Sequence, residues 1–503
     1  MPNVTQVSGG WSCMLRRYLE LQLLSDEAGL MSTGVPLDLC GKAVLLYANL
    51  RVLLSDGDGL RSGLQWVGAN GIKPCFRHYN VMKKHSGRAV HDDTYVEIGC
   101  CEPGRFRVWP EGELRAAIDA IIVCRESVAL GTIPKARLET MQQAFGFTST
   151  RDGILASAEL RALVSWQSVA RYDWVHTFLC DGVLTGDAWG LIEAAGAAGL
   201  ATQADLCVFL KQKWLTPYHR MHNGRTLHRI FNAQFAASNE KAGHLKCSAS
   251  ELLSLYVLLR HWAEAHLPIA DERIAEHAKC FFTACAAVDM LLMAKRHEIP
   301  MGIAGVALRA ALVDHMRASI ALYGADRPKP KNHWAFDVCD QLESDAWLWD
   351  TFVVERLHLR VRAVAEKCCS LQDYERTVLS GVVNLQAARA NTALGVDSSS
   401  SAAPFPGLPG AFVSDSVNTA CSRFRVGDFV LHGDAELGCI VACAIEAAAF
   451  YLVVDEWSKI EDVTAHSSTW RGCGRRCVWP ATDVQECAAW QEQSADIRLV
   501  LRM

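Results

Sequence analysis

Two aspartates, a cysteine and a histidine share the stretch from Ala43 to Val81, AVLLYANLRVLLSDGDGLRSGLQWVGANGIKPCFRHYNV. Asp56 ends an apolar run, where a carboxylate is placed to hold a divalent cation such as Mg²⁺ at a cleft rim. Ser-Asp-Gly-Asp-Gly is also a turn composition, because Asx turns and positive φ call for Asp and Gly. Cys75-x-x-His78 offers two ligands of a tetrahedral Zn²⁺ site. His91 and Cys100 follow at the spacing of a zinc knuckle inserted into a larger domain, with Cys101 beside them. In the alternative, Cys75 and Cys100 are buried thiols without a metal.

Further along, Asp173 and His176 stand three apart in YDWVH, so a helix would put them on one face. The histidine there could orient a metal-bound carboxylate or touch a phosphate; otherwise Asp173 is a helix cap. Between Asp205 and Glu240 there is no acid, and Lys211, Lys213, Arg220, Arg225 and Arg229 alternate with Trp214, Tyr218 and Phe231. Cations interleaved with aromatics suit a nucleic-acid backbone and its bases, although a solvated helix face has the same composition. Beyond Pro328-Lys-Pro-Lys-Asn-His333, the segment 343–367 reads as a helix with Val353, Leu357, Val361 and Val364 buried. Glu355 then falls on another face, as a metal ligand in a cleft or as one half of a local ion pair.

These groups need elements to hold them. GKAVLLYANLRVLL is ambiguous between helix and strand, and TYVEIGC alternates as a strand does. From Glu111 the chain is mainly helical, with apolar spacing at Leu114, Ile118, Ile121 and Ile122. Long helices are expected at 248–266, 271–297 and 302–323, the first opened by a Ser248/Glu251 capping box. The Ser/Pro-rich stretch 396–420 reads as a linker. Five short β-rich runs in 421–503 predict a small SH3-like β-barrel. The expected organisation is therefore 1–110, a helical body 111–395, the linker and the barrel.

The chain has 503 residues, half of them hydrophobic, and a formal charge of −5. That is globular material, and it is not basic enough to grip a long duplex over its whole surface. Any nucleic-acid contact must come from a local patch. Twenty cysteines without framework spacing point to reduced thiols in the nucleus or cytoplasm. No apolar leader precedes Trp11, so secretion is not expected, and no uncharged apolar stretch of spanning length is seen, so neither is a membrane span.

In this order the pieces resemble the CACTA-type transposases of DNA transposons: an Asp closing an apolar run, a cysteine-bearing insertion, Asp-x-x-His, then Lys-Pro-Lys-x-His leading into Phe-x-x-Glu-Arg. The resemblance spans roughly residues 43–390. It implies an α/β, predominantly helical chain with a partial RNase H-like core interrupted by large helical insertions. It also implies DNA as partner, Asp56 and Glu355 as the second and third acids of a metal-binding triad, and Asp173 as an accessory carboxylate. No first acid is identified upstream, where the aspartates are Asp26 and Asp38, so a truncated or degenerate core is expected. The alternatives are a non-enzymatic nucleic-acid or chromatin binder, and a helical scaffold whose barrel recognises a protein partner.

Overall fold

A computed structural model describes residues 10–501 apart from 28, 40, 84–93, 213, 217–225, 352–360, 363, 369–372, 391–411, 419–422, 434–435, 447–448, 488 and 495–496. The protein is mixed α/β and 49% helical, so helix dominates as expected. In chain order the principal helices are α1 (Gly10–Leu24), α2 (Gly57–Gly63), α3 (Glu111–Ala129), α4 (Trp174–Phe178), α5 (Val183–Ala197), α6 (Gln203–Lys211), α7 (Ala249–His266), α8 (Ala275–Lys295), α9 (Met301–Tyr323) and α10 (Pro330–Asp345). Two units divide the chain: Met1–Thr177 with Met301–Thr351, and Phe178–Pro300 with Phe352–Met503. These divisions fall after residues 177, 300 and 351.

In the first unit, the ambiguous apolar run is not a helix. It breaks into strand β2 (Lys42–Leu46), which forms an antiparallel hairpin with β1 (Val35–Leu39), and strand β3 (Leu53–Ser55). Further on come β4 (Val81–Met82), β5 (Val96–Glu97) and β6 (Ala170–Tyr172). β3 pairs in parallel with β6, Ser55 opposite Tyr172, and β4 pairs in parallel with β5. Parallel strands are normally buried on both faces, and here Trp66, Tyr172, Trp174, Phe336 and Leu60 are almost fully enclosed. Helix α10 was not expected. Pro330 sits in its first turn, where a missing N–H costs nothing, and Asn332 Oδ1 accepts from Lys329 N at 2.8 Å. Of the predicted helix 343–367, residues 343–345 are the end of α10, 346–351 are not helical, and 352–360 and 363 lie outside the described residues.

The second unit holds α5 to α8 and a large antiparallel sheet. Helix α7 starts as predicted: Ser248 Oγ accepts from Glu251 N at 3.2 Å, and Glu251 Oε2 accepts from Ser248 N at 2.8 Å. By length and composition α8 could cross a membrane, a candidate that the sequence reading did not contain. Ala278, Phe281, Cys285 and Val288 of this helix are buried within the chain.

The strands of that sheet are β7 (Trp214–Leu215), β8 (Phe412–Ser414), β11 (Phe429–His432), β12 (Glu436–Glu446), β13 (Ala449–Thr464), β14 (Ser467–Pro480), β15 (Val484–Glu486), β16 (Ala489–Ser494) and β17 (Ile497–Leu501), while β9 (Ser416–Asn418) and β10 (Arg423–Arg425) pair separately. Their order is β15-β11-β12-β13-β14-β17-β16-β7, with β8 also on β12.

Among the described residues this sheet is not closed, where a small barrel was expected. Val430 belongs to one apolar cluster with Ile440, Leu452 and Trp479, whereas Phe429 and Leu431 join Trp470, Trp490 and Val500 in another. Successive strand residues point to opposite faces, so β11 carries core on both faces. Strands β8 and β9 also lie within the stretch expected to be linker.

Candidate metal centre and acidic edge

Cys75 and His78 sit on a tight turn, in which the Cys75 sulfur accepts from His78 N at 3.3 Å. His333 and Asp337 are four apart on α10 and so project from one face. Packing α10 on the turn brings Cys75, His78, His333 and Asp337 together, with one donor atom of each inside a 4.8 Å sphere of mutual distance. Individual separations are 3.1 Å for His78 Nδ1 to His333 Nε2 and 3.5 Å for His78 Nδ1 to Asp337 Oδ1. Cys75 Sγ lies 3.6 Å from His78 Nδ1 and 3.7 Å from Asp337 Oδ2. Bonds of about 2.0–2.3 Å at tetrahedral angles put neighbouring ligands about 3.3–3.8 Å apart. Three of the four separations given fall in that range and the His78–His333 one is slightly shorter, so the cluster could hold a metal ion.

All four residues are buried, none above 2% exposed. Burial pushes the imidazoles of His78 and His333 down to about 3, so both rings are neutral with a lone pair to offer. Burial, reinforced by Asp337, raises the Cys75 thiol, and burial raises Asp337 against the pull of Arg77. The Arg77 guanidinium contacts Asp337 at 2.9 Å and Asp340 at 2.8 Å. Phe106 seals the site edge-on to His333, with ring centroids 4.6 Å apart. His333 Nδ1 has no hydrogen-bond partner. Such a buried atom without a partner is unusual, and the contact with His78 shows that Nε2 is the nitrogen turned to the cluster.

Two of the four ligands were expected, and two were not. Cys100 is elsewhere, against Val81, Val96 and Ile98 with its sulfur 3.8 Å from Glu102 O, and is not part of the group. Its short connection to β5 holds it in that local apolar cluster. His91 lies outside the described residues. The overlooked signal was His333-x-x-x-Asp337, the helical counterpart of a Cys-x-x-His pair.

Asp56 and Asp173 each follow the last residue of a paired parallel strand. Adjacent strands run about 4.8 Å apart, so the two backbones leave the sheet side by side. Asp56 caps α2, its Oδ1 accepting from Gly59 N at 2.7 Å. Asp58 is exposed and pairs with Arg61 at 3.2 Å.

Asp173 is enclosed, and its carboxylate accepts from Val175 N at 2.9 Å and Thr351 Oγ1 at 2.7 Å and pairs with His176 Nδ1. That fits the capping role weighed for it. Among the described residues neither aspartate belongs to a metal-sized group of three ligands, and Glu355 lies outside the described residues.

Of the basic patch, Lys213, Arg220 and Arg225 lie outside the described residues; Lys211 at the end of α6 and Arg229 are exposed. The interleaved aromatics are not. Trp214 and Phe231 are buried, and Trp214 pairs through β7 with β16 while its ring packs against Phe209 and His261. These two fill the core and are not a stacking surface, which corrects the expectation for them; Tyr218 lies outside the described residues. Trp470 and Trp479 are likewise core residues.

Comparison with known protein families, with curated proteins and with solved structures returns no match.

Proposed function

We propose that this chain is a zinc-binding, transposase-derived protein that binds DNA through a partial RNase H-like core. The observation that carries the zinc assignment is the convergence of Cys75, His78, His333 and Asp337. A thiolate, two neutral imidazoles and a carboxylate are a donor set that zinc accepts, and thiolate plus carboxylate balance the charge of Zn²⁺. Four protein ligands in a buried site leave no open position for substrate, so the ion is structural, tying the turn at Cys75 to α10. The juxtaposition of Asp56 and Asp173 at strand ends supports the core assignment, since α/β folds place ligands at the carboxyl ends of their parallel strands.

Metal analysis of purified protein tests the zinc: one equivalent is expected, lost in C75A and in H333A. Retention in both variants rules the site out. Salt-dependent binding of duplex DNA tests the partner.

A second reading keeps the nuclease chemistry, with Asp56, Asp173 and Glu355 holding Mg²⁺. The placement of Asp56 beside Asp173 favours it, while the full set of hydrogen bonds on Asp173 favours a structural role. Mg²⁺-dependent nicking of plasmid DNA that disappears in D56A and E355A would establish it. In that scheme, and equally in a scaffold scheme, the terminal sheet serves as a partner-binding module.

A further inference from the structure

Trp334 stands between the two sites just described. It follows His333 in sequence, and its Nε1 donates to Pro74 O at 2.8 Å, the carbonyl just before Cys75. Both halves of the metal cluster are thus one residue away from it. On its other side the indole stacks on Tyr172, with centroids 4.8 Å apart and planes 14° apart, and Tyr172 precedes Asp173. It also lies against Gly57, which follows Asp56: a Cβ added there would fall 2.9 Å from the ring. The Tyr172 hydroxyl donates to Cys75 Sγ at 3.8 Å, a second link between the sites.

We infer that metal occupancy at Cys75, His78, His333 and Asp337 is linked to the order of the Asp56–Asp173 edge, with Trp334 as the positioning residue that joins them. This rests on the zinc assignment made above. The physical basis is packing. An ion holding His333 and Cys75 fixes both ends of the indole, and interiors at crystal-like density transmit a displacement of one ring to its neighbours. Without the ion the turn is held against α10 by Arg77 on Asp337 and Asp340 and by the Trp334–Pro74 hydrogen bond, and the ion adds its ligand bonds to these. Losing those bonds gives the ring more freedom, and Gly57 and Tyr172 rest on that ring. By linkage, whatever steadies the edge must tighten metal binding by the same factor.

Hydrogen exchange on the full chain reads this directly. Two amides report the edge: Gly59 N–H, bonded to Asp56, and Val175 N–H, bonded to Asp173. Peptides carrying them are compared in zinc-loaded and chelated protein, with metal content measured alongside. We expect exchange at both to rise at least tenfold on zinc removal. We expect W334L to keep one zinc yet lose most of that difference, and W334F, which retains a stacking ring, to restore much of it. Should W334L fail to fold, G57A perturbs the same contact from the other side without touching a ligand, and must also shrink the difference.

If zinc is taken up stoichiometrically but neither amide responds to its removal, the linkage is wrong and the zinc assignment stands. An undiminished response in W334L, or in G57A where that variant takes its place, overturns the role of Trp334. If no zinc is bound at all, both fail.

Discussion

Thr351 donates its hydroxyl to Asp173 at 2.7 Å across 178 positions of sequence. The bond ties the segment after α10 to the end of β6, and Trp174 N reinforces it by donating to Trp349 O at 3.3 Å. Removing the donor leaves a buried carboxylate short of a partner, which costs about 1–3 kcal/mol. T351A should lose that much in a denaturant titration, and T351S, which keeps the hydroxyl, should lose less. Equal stability of T351A and the parent protein would show that the bond contributes nothing.

Removal of the proposed zinc should destabilise the chain well beyond the effect of any single surface change, because such an ion would join positions more than 250 residues apart. Thermal melting with and without a strong chelator should show a large drop in the midpoint. The D337N variant should melt close to the chelated protein and respond little to added chelator.

The basic patch separates into two effects. Lys211 and Arg229 are exposed, so K211E and R229E should weaken DNA binding and reduce the dependence of log K on log salt by about one per lost phosphate contact. Trp214 is core. W214A should therefore cost about 3–5 kcal/mol of stability, with DNA affinity per folded molecule unchanged. Loss of affinity in folded W214A would restore the stacking role.

His261 makes the fold acid-sensitive. It is buried on α7 beside Phe209 and Trp214, and burial depresses its imidazole to about 4. The unfolded chain takes up a proton near pH 6.5 that the folded chain refuses until about pH 4. Stability from this group is therefore present above 6.5 and is lost as pH falls through that window. Between pH 7 and 5 the loss should be on the order of 1–2 kcal/mol. H261Q should flatten that part of the stability–pH curve in denaturant titrations at the two pH values.

How much of this was legible follows from the range of each interaction. Ser248 and Glu251 marked a helix start because a capping box is made within four residues. The Cys75/His78 half-site was visible because four consecutive residues of one turn build it. The closing pair was not, since α10 begins at Pro330 and the helical pattern was placed from 343, leaving Asp337 with no periodic neighbours to identify its face. The sheet at the end of the chain was legible as β, but not as open, because closure depends on which strand edges meet.

By itself, then, the sequence determined the local devices: caps, turns, apolar periodicity, the β character of the C-terminal region and the candidate aspartates. Only the tertiary structure decided their company. It replaced Cys100 with His333 and Asp337 as companions of Cys75 and His78, set Asp56 beside Asp173 through a three-residue parallel pairing, and enclosed Trp214 and Phe231 of the basic segment. The physical reason is that local signals arise from backbone hydrogen bonds and side-chain geometry within a turn. The partner of a buried side chain is selected by close packing between elements whose separation along the chain carries no information about their contact.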